Sequence, residues 1–316
     1  MGHYIYARTC SGIGDAIPTV LTMTVVPILG AGSSMADYRI GFKWWALIIA
    51  VVFVISELVC VACVPERPVA GNEKPGKISD MFKALFKNDQ AMTVVVSIIL
   101  VYTSINICGN LVLYFFRFDV GNEGAYSIFA AVAFAAQVLV VMVIRLLRKR
   151  FSKSCLFISG FIIQIAGFAV ILIMAFAKLY TPQSWYILCL PGILIYLGYG
   201  MLNVIMTIFL SDSVDYGEVM NGTREESVIF SMQTFTVKLA SGVAVFLAGL
   251  VVDWIHLDTA AAVQTQDTLD ALRMWMTIPS VILLIVGIFV FKRFYRLDDA
   301  RMEEIKSKLN SENDAG

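Results

Sequence analysis

Long apolar runs dominate the chain, and short polar separators divide them. Eight runs are long enough to cross a bilayer as helices, since a spanning helix needs about 20 apolar residues and must satisfy its own backbone groups. The separators carry charged residues, glycine or proline, as in PERPVAGNEKPGK. We therefore predict eight transmembrane helices, at residues 5–30, 41–64, 91–116, 125–147, 154–177, 184–211, 226–252 and 271–294.

The composition agrees with this pattern. Of the 316 residues, 59% are hydrophobic and 15% are charged, whereas a soluble domain is about half apolar and a quarter charged. The predicted fold class is an all-α integral membrane protein. The formal net charge is zero, so nothing suggests nucleic acid as a partner.

Cysteine and histidine offer little candidate chemistry. Cys60 and Cys63 form a C-x-x-C in an apolar run, with no second pair or nearby histidine, so we interpret them as packing residues rather than a metal or redox site. His3 and His256 lie at span ends, and no catalytic site at membrane depth can be composed. We predict no enzymatic activity and no metal site.

Lysine and arginine are concentrated in alternate loops, which predicts the orientation. The loops rich in lysine and arginine are the connection at 65–90, the sequence RKRFSK and the C-terminal tail, whereas the loops on the opposite side carry few basic residues. Both termini are therefore predicted to be cytoplasmic, in a cell membrane. Within 65–90, ISDMFKALFKND predicts a short helix in the headgroup layer or a plain linker helix. The 297–316 tail predicts a charged helix that frays.

Polar side chains recur at helical spacing inside the predicted spans. Such groups are costly in lipid and normally face protein or a water-filled cavity. One stripe on each of four spans predicts a hydrophilic cavity; the alternative is that the residues only hydrogen-bond helices together. The stripes are Arg8, Asp15, Thr19 and Thr22; Tyr102, Asn106 and Asn110, with Tyr114 at the edge; Tyr196, Tyr199, Asn203 and Thr207; and Thr234, Lys238 and Ser241, bordered by Gln233.

The chemistry of these stripes suits a polyhydroxylated ligand. Amides and hydroxyls both donate and accept hydrogen bonds, as sugar hydroxyls do, and aromatic faces cover the apolar side of a pyranose. A strongly charged substrate would need a denser cationic cluster. One arginine and one lysine tolerate a carboxylate, so a hexuronide stays open as a substrate.

The junction between the sixth and seventh spans, SDSVDYGEVMNGTREESVIFSMQTFTVKLASG, is the most informative segment. Its acidic residues and one arginine crowd a short loop between two helix ends. Such a loop predicts a clasp of ion pairs and hydrogen bonds that holds one arrangement of helices and releases in another. The alternative is a solvated charged turn. The predicted cytoplasmic gate comprises Asp212, Asp215, Tyr216, Glu218, Arg224 and Glu226.

The same junction resembles the glycoside–pentoside–hexuronide:cation symporters, the melibiose permease relatives within the major facilitator superfamily. That family's D-x-x-D-Y-G-E, then R-x-E, then Q-T-x-x-x-K is matched in order. The segments ARTCSGIGDAIPTVLTMTVVPIL, LVLYFFRFDVG and LRMWMTIPSVILL resemble further helices of the family. The matching motif residues are Asp212, Asp215, Tyr216, Gly217, Glu218, Arg224, Glu226, Gln233, Thr234 and Lys238.

This resemblance implies a major facilitator superfamily-type bundle of twelve helices, of which the chain would supply the fifth to the twelfth. Residues 1–64 would then be the last two helices of the N-terminal bundle, and 65–90 the cytoplasmic central loop. Residues 91–296 would form the six-helix C-terminal bundle, and 297–316 the tail. On this expectation the chain is a fragment that lacks the first four helices.

The resemblance also implies Na⁺- or H⁺-coupled symport of a sugar or glycoside by alternating access, with no cofactor. Arg8 would line the sugar cavity, and Lys238 would also bear on the cation site. Asp15 is an extra carboxylate where a small residue is expected, and Asn203 replaces an aromatic residue of melibiose permease, so the particular sugar stays open. The implied substrate-binding residues are Arg8, Asp15, Asn106, Asn110, Tyr114, Asn203, Gln233, Thr234 and Lys238.

Two alternatives remain open beside this hypothesis. In the first alternative, the chain does not transport by itself, because it is a remnant or a subunit that needs four further helices in trans. In the second, it moves a lipid-like substrate, as some members of the resembled family do. The predicted partners are a small sugar or glycoside, the coupling cation and membrane lipids. A more apolar cavity would favour the lipid-like substrate.

Overall fold

The computed structural model describes residues 14, 17–18, 21–22, 24–32, 35–63, 86–222, 226–261 and 263–315. Within these ranges all regular structure is helical. A π-helical turn, Phe115–Asp119, extends α2, and a short 3₁₀ helix, Trp185–Leu188, precedes α5. The helices are α1 Met35–Cys63, α2 Asp89–Tyr114, α3 Ala125–Leu147, α4 Lys153–Phe176, α5 Cys189–Asn221, α6 Glu226–Trp254, α7 Gln266–Phe294 and α8 Asp299–Ala315.

Seven helices among the described residues, α1 to α7, are long and apolar enough to cross a membrane. They coincide with the last seven predicted spans, so the prediction of a multi-pass all-α membrane protein is confirmed. The first predicted span, 5–30, lies mostly outside the described residues, although 24–30 is helical. Most of the predicted helix in 65–90 also lies outside them.

Polar side chains cap the helices where the apolar runs begin. Asn88 accepts a hydrogen bond from the Ala91 amide at 2.9 Å, and Ser152 accepts one from Cys155 at 3.2 Å. Each cap satisfies a backbone donor that the first turn leaves unpaired. At the other end of α5, Gly222 adopts φ 71°, the left-handed conformation in which glycine commonly ends a helix.

Helices α2 to α7 pack around one hydrophobic core. α2 contacts α5, α6 and α7, while α4 contacts α5 and α7, and α3 packs on α5. Between α4 and α5 the backbones nearly touch: a Cβ on Gly198 would lie 2.6 Å from the Gly160 carbonyl oxygen and 2.6 Å from the Gln164 nitrogen. Small residues at such positions let membrane helices approach closely.

α1 pairs with the segment that precedes it. Trp45 Nε1 donates a 2.7 Å hydrogen bond to Thr22 Oγ1, and a Cβ on Gly41 would lie 2.1 Å from the Val26 carbonyl oxygen. The rest of α1 exposes an almost wholly apolar surface. Thr22, which was predicted to belong to a cavity-facing stripe, thus joins two helices through its hydroxyl.

The tail forms a helix, as predicted, and this helix is docked on the end of α5. Leu297, Met302 and Ile305 are buried and pack against Tyr216 and Val219 at the end of α5. α8 continues to Ala315, so the predicted fraying is not observed over the described residues. Burial of this small apolar face attaches the tail to the six-helix bundle.

Candidate functional site: a polar cavity between α2, α3, α5 and α6

A cavity of about 480 Å³ lies between helices α2, α3, α5 and α6. Pro18, from the first predicted span, also borders it, so two parts of the chain that are distant in sequence meet at this point. Most of the polar wall is amide or phenol. The lining residues are Pro18, Tyr102, Ile105, Asn106, Gly109, Asn110, Phe134, Gln137, Tyr196, Tyr199 and Ser241.

The α2 wall of the cavity is a stripe of residues one helical turn apart. Asn106 Nδ2 donates to the Tyr102 carbonyl oxygen, and Asn110 Nδ2 donates to the Asn106 carbonyl oxygen, each at 2.7 Å. These bonds fix the two amides against their own helix. Their acceptor oxygens remain available to a ligand in the cavity.

α5 contributes two tyrosines to the wall, and the amide of Asn203, which does not border the cavity, hydrogen-bonds tyrosine hydroxyls of α2 and α5. Asn203 Nδ2 donates to the Tyr102 hydroxyl at 2.7 Å and to the Tyr199 hydroxyl at 3.4 Å. The Tyr102 and Tyr199 rings meet edge to face at 5.6 Å, and the Tyr196 ring lies 5.4 Å from that of Phe134. The cavity thus combines aromatic surface with hydroxyl and amide groups.

A second cavity, of about 530 Å³, continues along the groove between α2 and α6. Asn110 borders both cavities, and Tyr114, one turn further along α2, borders the second. Apolar α6 residues and Asp253 complete its wall. The predicted α2 stripe therefore faces open space over its whole length.

The predicted α6 residues divide into two groups. Gln233 is buried and donates a 3.1 Å hydrogen bond to Thr207 of α5, so it joins two helices and does not line either cavity. Thr234 and Lys238 lie on the exposed face of α6. Lys238 is one turn from Ser241, which borders the first cavity.

Three predicted site residues, Arg8, Asp15 and Arg224, lie outside the described residues. Among the other predicted gate residues, Asp215 and Glu218 are half-buried on the last turns of α5. Glu226 is exposed at the first turn of α6. Tyr216 packs against the tail.

Asp212 has a partner that sequence reasoning missed. Its carboxylate pairs with Lys153 at the start of α4, and each side chain is only 6% exposed. Asp299 of the tail lies 3.4 Å from the same ammonium group, and Arg148 lies 3.7 Å from Asp299. This network ties α4, α5 and α8 together. The local sequence indicated only that Lys153 belongs to a basic loop.

Asn88 strengthens the same end of the bundle. Its Nδ2 donates a 2.7 Å hydrogen bond to the Ser213 carbonyl oxygen of α5. A Cβ on Gly217 would lie 2.7 Å from that Nδ2. The glycine of the D-Y-G-E motif therefore leaves room for the Asn88 side-chain amide. The motif therefore has a packing role beside any role in gating.

A second buried network, also missed from the sequence, closes the opposite end. Arg273 of α7 donates to both Asp119 oxygens, at 2.9 and 2.5 Å, and to Asp270 at 2.7 Å. The Tyr180 hydroxyl donates to Asp119 as well. Burial, together with the Asp119 charge, raises the pKa of Tyr180, which keeps this hydroxyl protonated as a donor.

Seven helices long and apolar enough to span a membrane, with an amide- and tyrosine-lined cavity between four of them, form an arrangement expected of a membrane transporter. The family described as "MFS/sugar transport protein" matches residues 6–299, and the chain belongs to that family. This confirms the resemblance seen in the junction motif. It also agrees with the predictions of no enzymatic activity and no cofactor, since the family is one of transporters.

Curated relatives extend the comparison. The chain is 24% identical to the raffinose carrier protein of Pediococcus pentosaceus, over 96% of this chain and 47% of that protein. It is 23% identical to the isoprimeverose transporter of Lactiplantibacillus pentosus, over 95% and 62% respectively. It is 23% identical to the lactose permease of Lactobacillus delbrueckii subsp. bulgaricus, over 97% of this chain and 49% of that protein. The chain thus spans about half to three-fifths of the length of these relatives.

Proposed function

We propose that the chain acts in symport of a sugar or glycoside with Na⁺ or H⁺, by alternating access, in the cell membrane. The observation that carries the proposal is the 480 Å³ cavity lined by amides, phenols and aromatic rings. The named substrates of relatives, raffinose, isoprimeverose and lactose, support it. A lipid-like substrate is less well supported, because its chains would meet amide and hydroxyl groups.

The ion-pair networks support a rocking mechanism. Asp212–Lys153 at one end and Asp119–Arg273 at the other both join helices within α2–α8. These buried networks join α4 to α5 and α8, and α2 to α7; alternating access moves one such bundle against another around a central site. The two ion-pair networks would therefore stabilise one of the bundles that move against each other.

The gate is a further part of the proposal. Asp212 would anchor the end of α5, while Asp215, Glu218, Arg224 and Glu226 would make and break contacts across the cytoplasmic opening. Tyr216 would couple α5 to the docked tail. The half-buried charges at the end of α5 support this role.

Orientation and extent are likewise proposed. The basic loops favour both termini of the chain on the cytoplasmic side. The chain would correspond to the last eight of the twelve helices that the resemblance implies, and it covers 47–62% of the length of these relatives. In that arrangement Arg8 and Asp15 would contribute to substrate binding. Lys238 would approach the cavity from α6.

Uptake into vesicles tests this function. The purified chain would be reconstituted with radiolabelled raffinose, lactose or isoprimeverose outside, under an inward Na⁺ or H⁺ gradient. Accumulation that an ionophore abolishes is the expected result, and the effective gradient identifies the cation. Uptake only when the four further helices of a relative are co-expressed would favour the subunit alternative. Failure in both arrangements would contradict the proposal.

A further inference from the structure

Gln137 of α3 lines the same cavity but was not part of the predicted site. Its Oε1 is buried and has no hydrogen-bond partner among the described residues. The neighbouring amides differ, because Asn106, Asn110 and Asn203 each use their Nδ2 in a hydrogen bond. A buried polar atom without a partner costs free energy, which a ligand hydroxyl can recover.

The stem of Gln137 is held firmly by α5. A Cβ on Gly200 would lie 3.2 Å from Gln137 Cγ and 2.6 Å from Val140 Cγ1. The two helices therefore pack closely at this level. Only the amide can adjust, by rotation about the last side-chain bonds.

The cavity wall around Gln137 carries no acidic or basic side chain among the described residues. Its hydrogen-bonding groups are amides and hydroxyls, and the rings of Phe134 and Tyr196 provide apolar surface. A carboxylate that lay against α2, α3 and α5 would lose water without gaining a cation from these helices, which is unfavourable; the proposed cations, Arg8 and Lys238, belong to other parts of the chain. A neutral pyranose finds both hydroxyl partners and a ring face.

We propose that Gln137 hydrogen-bonds a substrate hydroxyl in a neutral half-site formed by α2, α3 and α5, which selects an uncharged sugar ring over the corresponding uronic acid. The inference rests on the proposed sugar transport and specifies its substrate class. It places a third helix, α3, in substrate recognition. Gln137 sets specificity here without taking part in cation coupling.

Equilibrium binding to the purified full chain tests the inference without requiring transport. The probes are raffinose, lactose and isoprimeverose and, for the tightest binder, its analogue with one CH₂OH oxidised to carboxylate. We expect the neutral sugar to bind at least tenfold more tightly than its uronate. Gln137→Leu should weaken binding of the neutral sugar at least tenfold. Gln137→Glu would place a carboxylate in a wall that offers it no cation among the described residues, so this variant should bind the uronate still less than the wild-type chain does.

Gln164 of α4 provides a matched control. Both of its amide atoms are also buried without a hydrogen-bond partner among the described residues, but it borders neither cavity. Gln164→Leu should leave binding within twofold, and thermal unfolding checks that each variant folds. Equal or tighter uronate binding, or an unchanged affinity in Gln137→Leu, would overturn the half-site while leaving sugar transport intact. If no probe binds the wild-type chain, either alone or together with the four further helices of a relative, both proposals fail.

Discussion

Asp119 and Arg273 are separated by 154 residues in sequence, yet they form a bidentate ion pair with 2% and 4% of their side chains exposed. The pair joins the π-helical end of α2 to the second turn of α7. Tyr180, from the α4–α5 connection, donates to the same carboxylate. One buried acid thereby fixes three elements at one end of the bundle.

Removal of one partner from this pair should be costly. Arg273→Met leaves the Asp119 carboxylate buried without its cation, which we expect to reduce the free energy of unfolding by about 3–5 kcal/mol. Adding Asp119→Asn should restore part of that loss, since the uncompensated charge disappears. Denaturant unfolding in detergent measures both changes.

A control for this prediction lies nearby. Arg117 and Glu123 form a pair 3.8 Å apart with 37% and 33% of their side chains exposed. Exposed pairs contribute about 1 kcal/mol or less, so Glu123→Gln should have little effect. A loss as large as that of Arg273→Met would show that burial does not determine the cost.

The Lys153 network should show the same dependence on burial. Lys153→Met strands the Asp212 carboxylate, which is 6% exposed, and we expect a loss of about 3–5 kcal/mol. Asp299 is 43% exposed, so Asp299→Asn should cost about 1 kcal/mol or less. Trypsin cleavage of the tail, followed together with unfolding, reports whether α8 detaches. Equal losses of unfolding free energy from the two variants would contradict the view that the buried Lys153–Asp212 pair contributes more to the network than Asp299 does.

Close packing of α4 on α5 predicts strong intolerance at Gly198. Any side chain there meets backbone atoms at 2.6 Å, so Gly198→Val should destabilise by at least about 1–3 kcal/mol. Gly242 has nothing within 4 Å of an added Cβ. Gly242→Val should therefore be tolerated, and thermal stability in detergent compares the two. Similar melting temperatures would argue against the close contact.

Arg224 tests the proposed gate. If the gate controls opening rather than ligand contact, Arg224→Gln should slow uptake into vesicles at least tenfold while the sugar affinity changes less than threefold. The two measurements are made on the same preparation. An equal loss of uptake and affinity would place Arg224 in the binding site instead.

The sequence predicted the membrane-embedded part of the fold well. The span at 125–147 matches α3, Ala125–Leu147, residue for residue, because bilayer thickness and apolar run length determine both limits. α5 instead continues to Asn221, beyond the predicted end at 211. Charges that locally suggest a loop are accommodated there by Lys153 and the docked tail.

The site was predicted only in part, for a physical reason. Helical periodicity identified Asn106 and Asn110, which line the cavity, because a polar stripe on an apolar helix needs a polar environment. Asn203 borders neither cavity and bonds Tyr102 of α2. Periodicity assigned Gln233 to the cavity, although that amide bonds Thr207 between helices. It missed Gln137, a single amide with no stripe around it. Pairing across helices depends on packing, which local sequence does not encode.

Water accessibility at the α2 stripe tests the central claim that these polar groups face a wet, sugar-binding cavity. In a background without the native cysteines, Asn110→Cys would be treated with a water-soluble thiol reagent, with Leu139→Cys on the exposed apolar face of α3 as the control. We predict that Asn110→Cys reacts, that bound sugar protects it, and that Leu139→Cys stays unmodified in the bilayer. An unreactive Asn110→Cys, or labelling that no sugar slows, would contradict the account.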